Sequence, residues 1–196
     1  MHALVKRFVS MLRTAIIIFA VAAGLLPACF AEKVPMDDES AVKAPGGGVL
    51  TSTRAPDEIA EFLRIHNQAR KAVGVARLKW SKYLCNLALI RARAIAKSRT
   101  IEHDHDRHFG ENLFRGTGHQ YTGAAAARHW LGERAHYVYG RVTARNFQGT
   151  AHYTQMVWAR TTDVGFWVAR DSNGATIIVA KYGPAGNMVG EAPYPR

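Results

Sequence analysis

The hydrophobic period changes in the last third of the chain, and that change limits the folds open to it. Val164 to Arg170 and Thr176 to Tyr182 are rich in β-branched and aromatic residues, and Asp171-Ser172-Asn173-Gly174 lies between them. Two such runs around such a turn predict a β-hairpin. Upstream, the apolar residues recur at helical spacing instead. Pro56-Asp57-Glu58 opens one helix, with proline pre-set for the first turn and acids at the positive end of the dipole. Ile59, Phe62, Leu63 and His66 give it a buried face. Ser81 caps a second helix reaching about Ser98. Leu84, Cys85, Ala88, Leu89, Ala92, Ile95 and Ala96 share one broad arc of it, so it reads as sandwiched, with Cys85 a small core residue. Thr122 caps a third helix through Trp130 to Ala135, ending before Gly140. Helices first and a hairpin last make an α+β domain with an antiparallel sheet.

A chain of 196 residues at 48% hydrophobic composition holds one such domain and leaves a surplus at its start. Lys6, Arg7 and Arg13 precede the apolar stretch Ala15 to Leu26, and small residues follow at Ala28 and Ala31. This is the order of an export signal, placed at residues 1–31. The apolar run is too short for a membrane span and ends in Gly24 and Pro27. Two processing outcomes compete: cleavage after Ala31, or acylation of Cys29, because Leu26-Pro27-Ala28-Cys29 resembles a lipobox. Residues 32–56 read as a linker, rich in Pro and Gly and without a period. The folded domain is assigned to residues 57–196.

The 26 basic and 15 acidic residues give the chain +11. Three of those charges belong to the signal, which leaves the domain and linker at +8. Two cysteines exclude a disulfide-stapled miniprotein, and loss of Cys29 would leave Cys85 without a disulfide partner.

The chemistry-bearing residues cluster ahead of the hairpin. Ile101 to Glu111 places His103, His105 and His108 among carboxylates, and His119, His129, Glu133, His136 and His152 follow. Imidazole and carboxylate in an exported protein suit Zn²⁺ or a similar divalent ion. No His-Glu-x-x-His pattern is present, so spacing alone does not select ligands, and a solvated polar loop competes with a metal site.

Four ordered motifs select among these residues. His152-Tyr153-Thr154-Gln155-Met156-Val157-Trp158 and Tyr182-Gly183-Pro184-Ala185-Gly186-Asn187 resemble the two signatures of the CAP superfamily of cysteine-rich secretory proteins, antigen 5 and plant pathogenesis-related proteins. His66-Asn67-Gln68-Ala69-Arg70 and Gly110-Glu111-Asn112-Leu113 resemble two shorter motifs of that family. The resemblance spans about Glu58 to Gly190 and implies an α-β-α sandwich, a three-stranded antiparallel sheet between helical layers. It also implies a cleft in which two His and two Glu can hold a divalent metal, Zn²⁺ first. Carried over position by position, these are His103, Glu111, Glu133 and His152, with His105 and His108 competing for the place of His103. Tyr153 and Gln155 beside His152 are weaker candidates for the cleft lining. The disulfide-free domain and the lipobox look more like a bacterial exported member.

Three functions follow as expectations. The first is an exported protein, secreted, periplasmic or lipid-anchored, whose cleft binds a metal and a small molecule, lipid or peptide. The second is a metal-dependent hydrolase with Glu111 or Glu133 as general base. The third is a cationic binder of anionic envelope surfaces. Nucleic acid is a poor partner, since no recognition helix or RNA-binding aromatic pattern appears. A monomer or weak dimer is expected.

Overall fold

The computed structural model describes residues 56–196 apart from positions 105, 107 and 119. The export signal, residues 32–55 of the linker, Cys29 and His105 therefore lie outside the described residues, and Pro56, assigned to the linker, opens the first helix. The elements run α1 (Pro56–Ala72), β1 (Lys79–Trp80), α2 (Lys82–Ser98), β2 (Gly110–Gly116), α3 (Gly123–Gly132), a 3₁₀ turn (Glu133–His136), α4 (Ala151–Met156), β3 (Asp163–Arg170) and β4 (Thr176–Gly183).

The hairpin forms where its sequence places it. Asp171 Oδ1 accepts the backbone N–H groups of Asn173 and Ala175, each at 2.9 Å, and Gly174 takes the positive φ of 79° that completes the turn. The sheet has four strands in the order β1-β3-β4-β2, one more than the family resemblance implies. The addition is β1, two residues running parallel to the start of β3. The other pairings are antiparallel.

Alternation along β4 divides the interior into two layers. Ile178, Ala180 and Tyr182 meet Phe62 and Ile65 of α1, Trp130 of α3 and Met156 of α4. Ile177 and Val179 meet Ala88, Ala92 and Ile95 of α2, with Leu113 of β2. The result is an α-β-α sandwich. Gly165 lets α2 approach β3 closely, since a Cβ there would lie 2.2 Å from the backbone nitrogen of Cys85.

Both predicted caps are in place: Ser81 Oγ accepts from Leu84 N and Thr122 Oγ1 from Ala125 N, each at 3.2 Å. Two expectations need correction. Among the described residues α2 is covered on one side only, and Tyr83 and Ile90 on its outer side are exposed, so within them the helix is not sandwiched. α3 ends at Gly132 and tightens into the 3₁₀ turn rather than continuing to Ala135. α4 has no counterpart in the sequence reading; its six residues are too few to show a period.

Candidate functional site: two histidine–carboxylate pairs

Glu133 lies in the 3₁₀ turn after α3 and faces the start of α4. Its Oε1 accepts from His152 Nδ1 at 2.6 Å, and its Oε2 accepts the backbone N–H groups of His152 and Tyr153 at 2.9 and 3.1 Å. The carboxylate thus caps α4, whose own N-cap residue, Thr150, makes no side-chain cap bond. The His152 ring stacks on the buried Trp130, with centroids 6.0 Å apart and planes 25° from parallel. Trp130 is itself fixed by donating its indole N–H to Leu113 O at 3.2 Å. Burial opposes ionisation of Glu133, but His152 and the two backbone donors outweigh it and hold the carboxyl below its ordinary pKa.

Glu111 and Asn112 are neighbours on edge strand β2, and their side chains leave opposite faces. Glu111 stands across from Lys181 on the α2 side. Its Oε2 lies 3.0 Å from Lys181 Nζ and 3.7 Å from Arg91 Nε, and its Oε1 accepts from His103 Nδ1 and Asp104 N, each at 3.0 Å. Lys181 Nζ also reaches Asp104 Oδ2 at 3.0 Å. Burial opposes ionisation here too, yet His103, Lys181 and the Asp104 N–H leave the Glu111 pKa lowered.

Asn112 points the other way and ties the sheet to α4. Its amide donates to His152 O and to the Tyr182 hydroxyl, each at 3.1 Å. His66 continues the chain, with Nε2 2.8 Å from that hydroxyl and Nδ1 2.9 Å from Phe62 O. A carbonyl can only accept, so Nδ1 carries the proton, and Nε2 accepts from Tyr182. Burial pushes His66 down to about 4, which keeps the imidazole neutral as this tautomer requires.

The four predicted ligands are therefore assembled as two pairs rather than one foursome. Among the described residues no group of three or more His, Cys, Asp or Glu side chains is arranged to hold a metal ion. Three further expectations change. His108 is exposed and bonded to Asp106 Oδ1 at 2.8 Å, away from Glu111. Tyr153 and Gln155 are buried and do not line a cleft. Gln155 pins the loop after β4, donating to Thr161 Oγ1 at 3.2 Å and accepting from Gly186 N at 3.0 Å.

The donor chemistry still suits a divalent cation, in altered roles. Each imidazole gives Nδ1 to a carboxylate, which leaves Nε2 as its metal-binding nitrogen. That is how carboxylates orient and polarise metal-ligating histidines. The two glutamates are engaged with the histidine Nδ1 atoms and with backbone donors or cations.

Residues 63–182 match the profile of the cysteine-rich secretory protein family, CAP. The chain belongs to the CAP family. It is 36% identical to pathogenesis-related protein 1 of Arabidopsis thaliana over 148 residues, 76% of this chain and 89% of the relative. It is 35% identical to pathogenesis-related protein 1A of Nicotiana tabacum over 143 residues, 73% of this chain and 84% of that one. Among solved structures, NaASP2, crystallised with Zn²⁺, superposes with a TM-score of 0.64 at 25% identity, covering 76% of this chain and 90% of its own. BmVAL-1 superposes with a TM-score of 0.60 at 22% identity, covering 78% and 86%, a likeness of fold.

Several CAP motif residues prove to be internal fasteners. Asn67 exchanges two hydrogen bonds with the backbone of Leu78. Asn187, at a positive φ of 58°, donates to Ala151 O and accepts from Thr154 Oγ1. Arg70 donates to the carbonyls of Ala76, Met156, Trp158 and Thr161, and so closes the C-terminal end of α4. Its burial lowers the guanidinium to about 10. Lys181 and Arg91 are the site residues that sequence reasoning missed. Lys181 could have been found, because it is the one charged side chain in the otherwise apolar run of β4.

Proposed function

We propose that this CAP protein is an exported binding module in which His152 and His103, backed by Glu133 and Glu111, hold a divalent cation, with Zn²⁺ the first choice. The cleft then engages a small molecule, lipid or peptide. The observation that carries the reading is the shared construction of the two pairs, each with Nδ1 on a carboxylate and Nε2 left for a ligand bond. NaASP2, described with Zn²⁺, supports the choice of metal. When bound, the ion supplies Lewis-acid contact to an oxygen or nitrogen of the ligand. Export is supported by the basic, apolar and small-residue order of residues 1–31. Among the described residues no helix is long and apolar enough to cross a membrane.

The donors around both carboxylates favour binding over hydrolysis. A general base works best with a pKa near the working pH. The N–H groups on Glu133, and His103, the Asp104 N–H and Lys181 around Glu111, hold both carboxyls below their ordinary pKa, away from that range.

Calorimetric titration with Zn²⁺ tests the reading. His152→Ala or His103→Ala should weaken a shared ion severely, or remove one equivalent each if the pairs bind separately. Glu133→Gln should lower affinity by about 10–100-fold, as loss of an orienting partner does. A wild-type protein that takes up no Zn²⁺, or unchanged affinity in both histidine variants, removes the metal.

A further inference from the structure

The two edges of the sheet are finished differently. On β2 the Trp130 indole donates to one outward carbonyl, Leu113 O. On β3 the cover stops at Val164, because β1 pairs only with Asp163 and Val164. Alternation fixes where the backbone groups beyond that point face. Val164 O accepts from Ser81 N at 3.0 Å and Phe166 O from the Cys85 thiol at 3.4 Å, so the even-numbered residues of β3 turn toward the β1 side. Val168 and Arg170 follow the same parity, and no described strand pairs with them there.

Alongside this edge runs a groove of about 720 Å³ between α2 and β3. Ala96, Trp167 and Ala169 give it an apolar floor, Arg93, Lys97 and Arg170 line it as cations, and among the described residues no carboxylate lines it. Arg93 and Lys97, one turn apart on α2, are both exposed, and α2 contains no acidic residue.

We propose that the free edge of β3 is a docking site for an acidic peptide segment in extended conformation. The peptide adds as a strand beyond Val164, exchanging main-chain hydrogen bonds with Val168 and Arg170 while its carboxylates face Arg93, Lys97 and Arg170. Main-chain pairing supplies affinity in this mode, and alternate side chains supply selectivity. The charge selects the partner: a second copy of the chain would bring the same three cations to the edge, and flanking basic residues resist such self-pairing. The outward groups of Val168 and Arg170 pair with about three residues of an extended peptide, roughly 10 Å at strand rise. Neither histidine–carboxylate pair takes part, so the outcome is independent of the metal reading.

The test uses an acetylated, amidated heptapeptide of alternating Glu and Val, added to the purified protein at low salt and followed by amide hydrogen exchange. Exchange at Val168 and Arg170 should slow at least about tenfold, while Trp167 and Ala169, already turned toward β4, serve as reference. A peptide N-methylated on the amides facing β3, or one with Lys in place of Glu, should lose at least about tenfold in affinity. Arg93→Glu with Lys97→Glu should reverse the preference between the Glu and Lys peptides. Unchanged exchange at both amides under excess peptide overturns the proposal. So does equal binding of the N-methylated peptide, or the same slowing produced by concentrating the protein alone.

Discussion

The two histidine–carboxylate pairs are alike in their central bond and opposite in what holds them. His152–Glu133 is built from the ends of secondary structure: a 3₁₀ turn supplies the carboxylate, the first turn of α4 supplies two backbone donors, and Trp130 supports the ring. His103–Glu111 is built from charge: Lys181 and Arg91 surround the carboxylate, and His103 comes from the segment between α2 and β2 with its side chain 63% exposed. Neutral donors fixed by a fold keep their geometry when charges change. A cluster of side-chain ions depends on each member, because a buried carboxylate without its cation is costly. One pair should therefore be robust and the other conditional.

The sharpest way to break the comparison is Lys181→Met. Lys181 and Glu111 are 3% and 5% exposed at their side chains, so removing the cation leaves Glu111 with Arg91 at 3.7 Å and His103. Loss of one partner of a buried pair costs about 3–5 kcal/mol, and urea denaturation should show it. Replacing both members, Lys181→Met with Glu111→Leu, should recover most of the loss. A single variant as stable as the wild type would mean that Glu111 does not depend on this cation.

Acid should separate the contributions in stages. His66 is lowered from 6.5 to about 4, so below 6.5 the unfolded chain gains a proton that the native state refuses. Its stability is full above 6.5 and is lost as the pH falls toward 4, about 3 kcal/mol in all at 1.36 kcal/mol per unit. Glu111 and Glu133 also have lowered values, so their contribution is present above the ordinary 4.5 and disappears only as the pH falls through their folded values. Denaturation at pH 7, 5.5 and 4 should show the first stage, and His66→Gln should abolish it. In Lys181→Met the Glu111 stage should move to higher pH while that of Glu133 stays. An identical pH slope in His66→Gln would remove His66 as the cause.

Glu133→Ala tests the robust pair. It leaves three donors without their acceptor, and His152 Nδ1 and the two backbone N–H groups should cost about 2–3 kcal/mol in thermal or urea unfolding. Glu133→Gln keeps an acceptor oxygen for the backbone and should cost less.

Local rules made the hairpin and the caps readable in advance, while the layer order was legible only through the family motifs. Asp171 bonding its own turn, Ser81 and Thr122 each capping a helix, and the strand alternation all act within a few residues. The site was readable only as a set of residues. His103, Glu111, Glu133 and His152 can be picked out by family motif, but their division into two pairs depends on which face of β2 each neighbour leaves. It also depends on Lys181, 70 residues beyond Glu111 in sequence. The same holds for Tyr153 and Gln155, which stand next to His152 in sequence and yet are buried. α4 was invisible because its stability comes from Glu133 at one end and Arg70 at the other rather than from a period.

The smallest effects belong to the histidines themselves and give the finest test of the comparison. His103→Ala removes a largely exposed partner from a carboxylate that keeps Lys181 and the Asp104 N–H, so stability should change by about 0–1 kcal/mol, as for exposed ion pairs. His152, 28% exposed at its side chain, is stacked on Trp130 and donates to Glu133, so His152→Ala should cost about 1–2 kcal/mol from the lost ring contact and hydrogen bond. If the metal reading holds, Zn²⁺ binding should fall in both variants although stability falls mainly in one. Equal destabilisation by the two substitutions would mean that His103 is held by more than its bond to Glu111, and the contrast between a fold-held and a charge-held pair would fail.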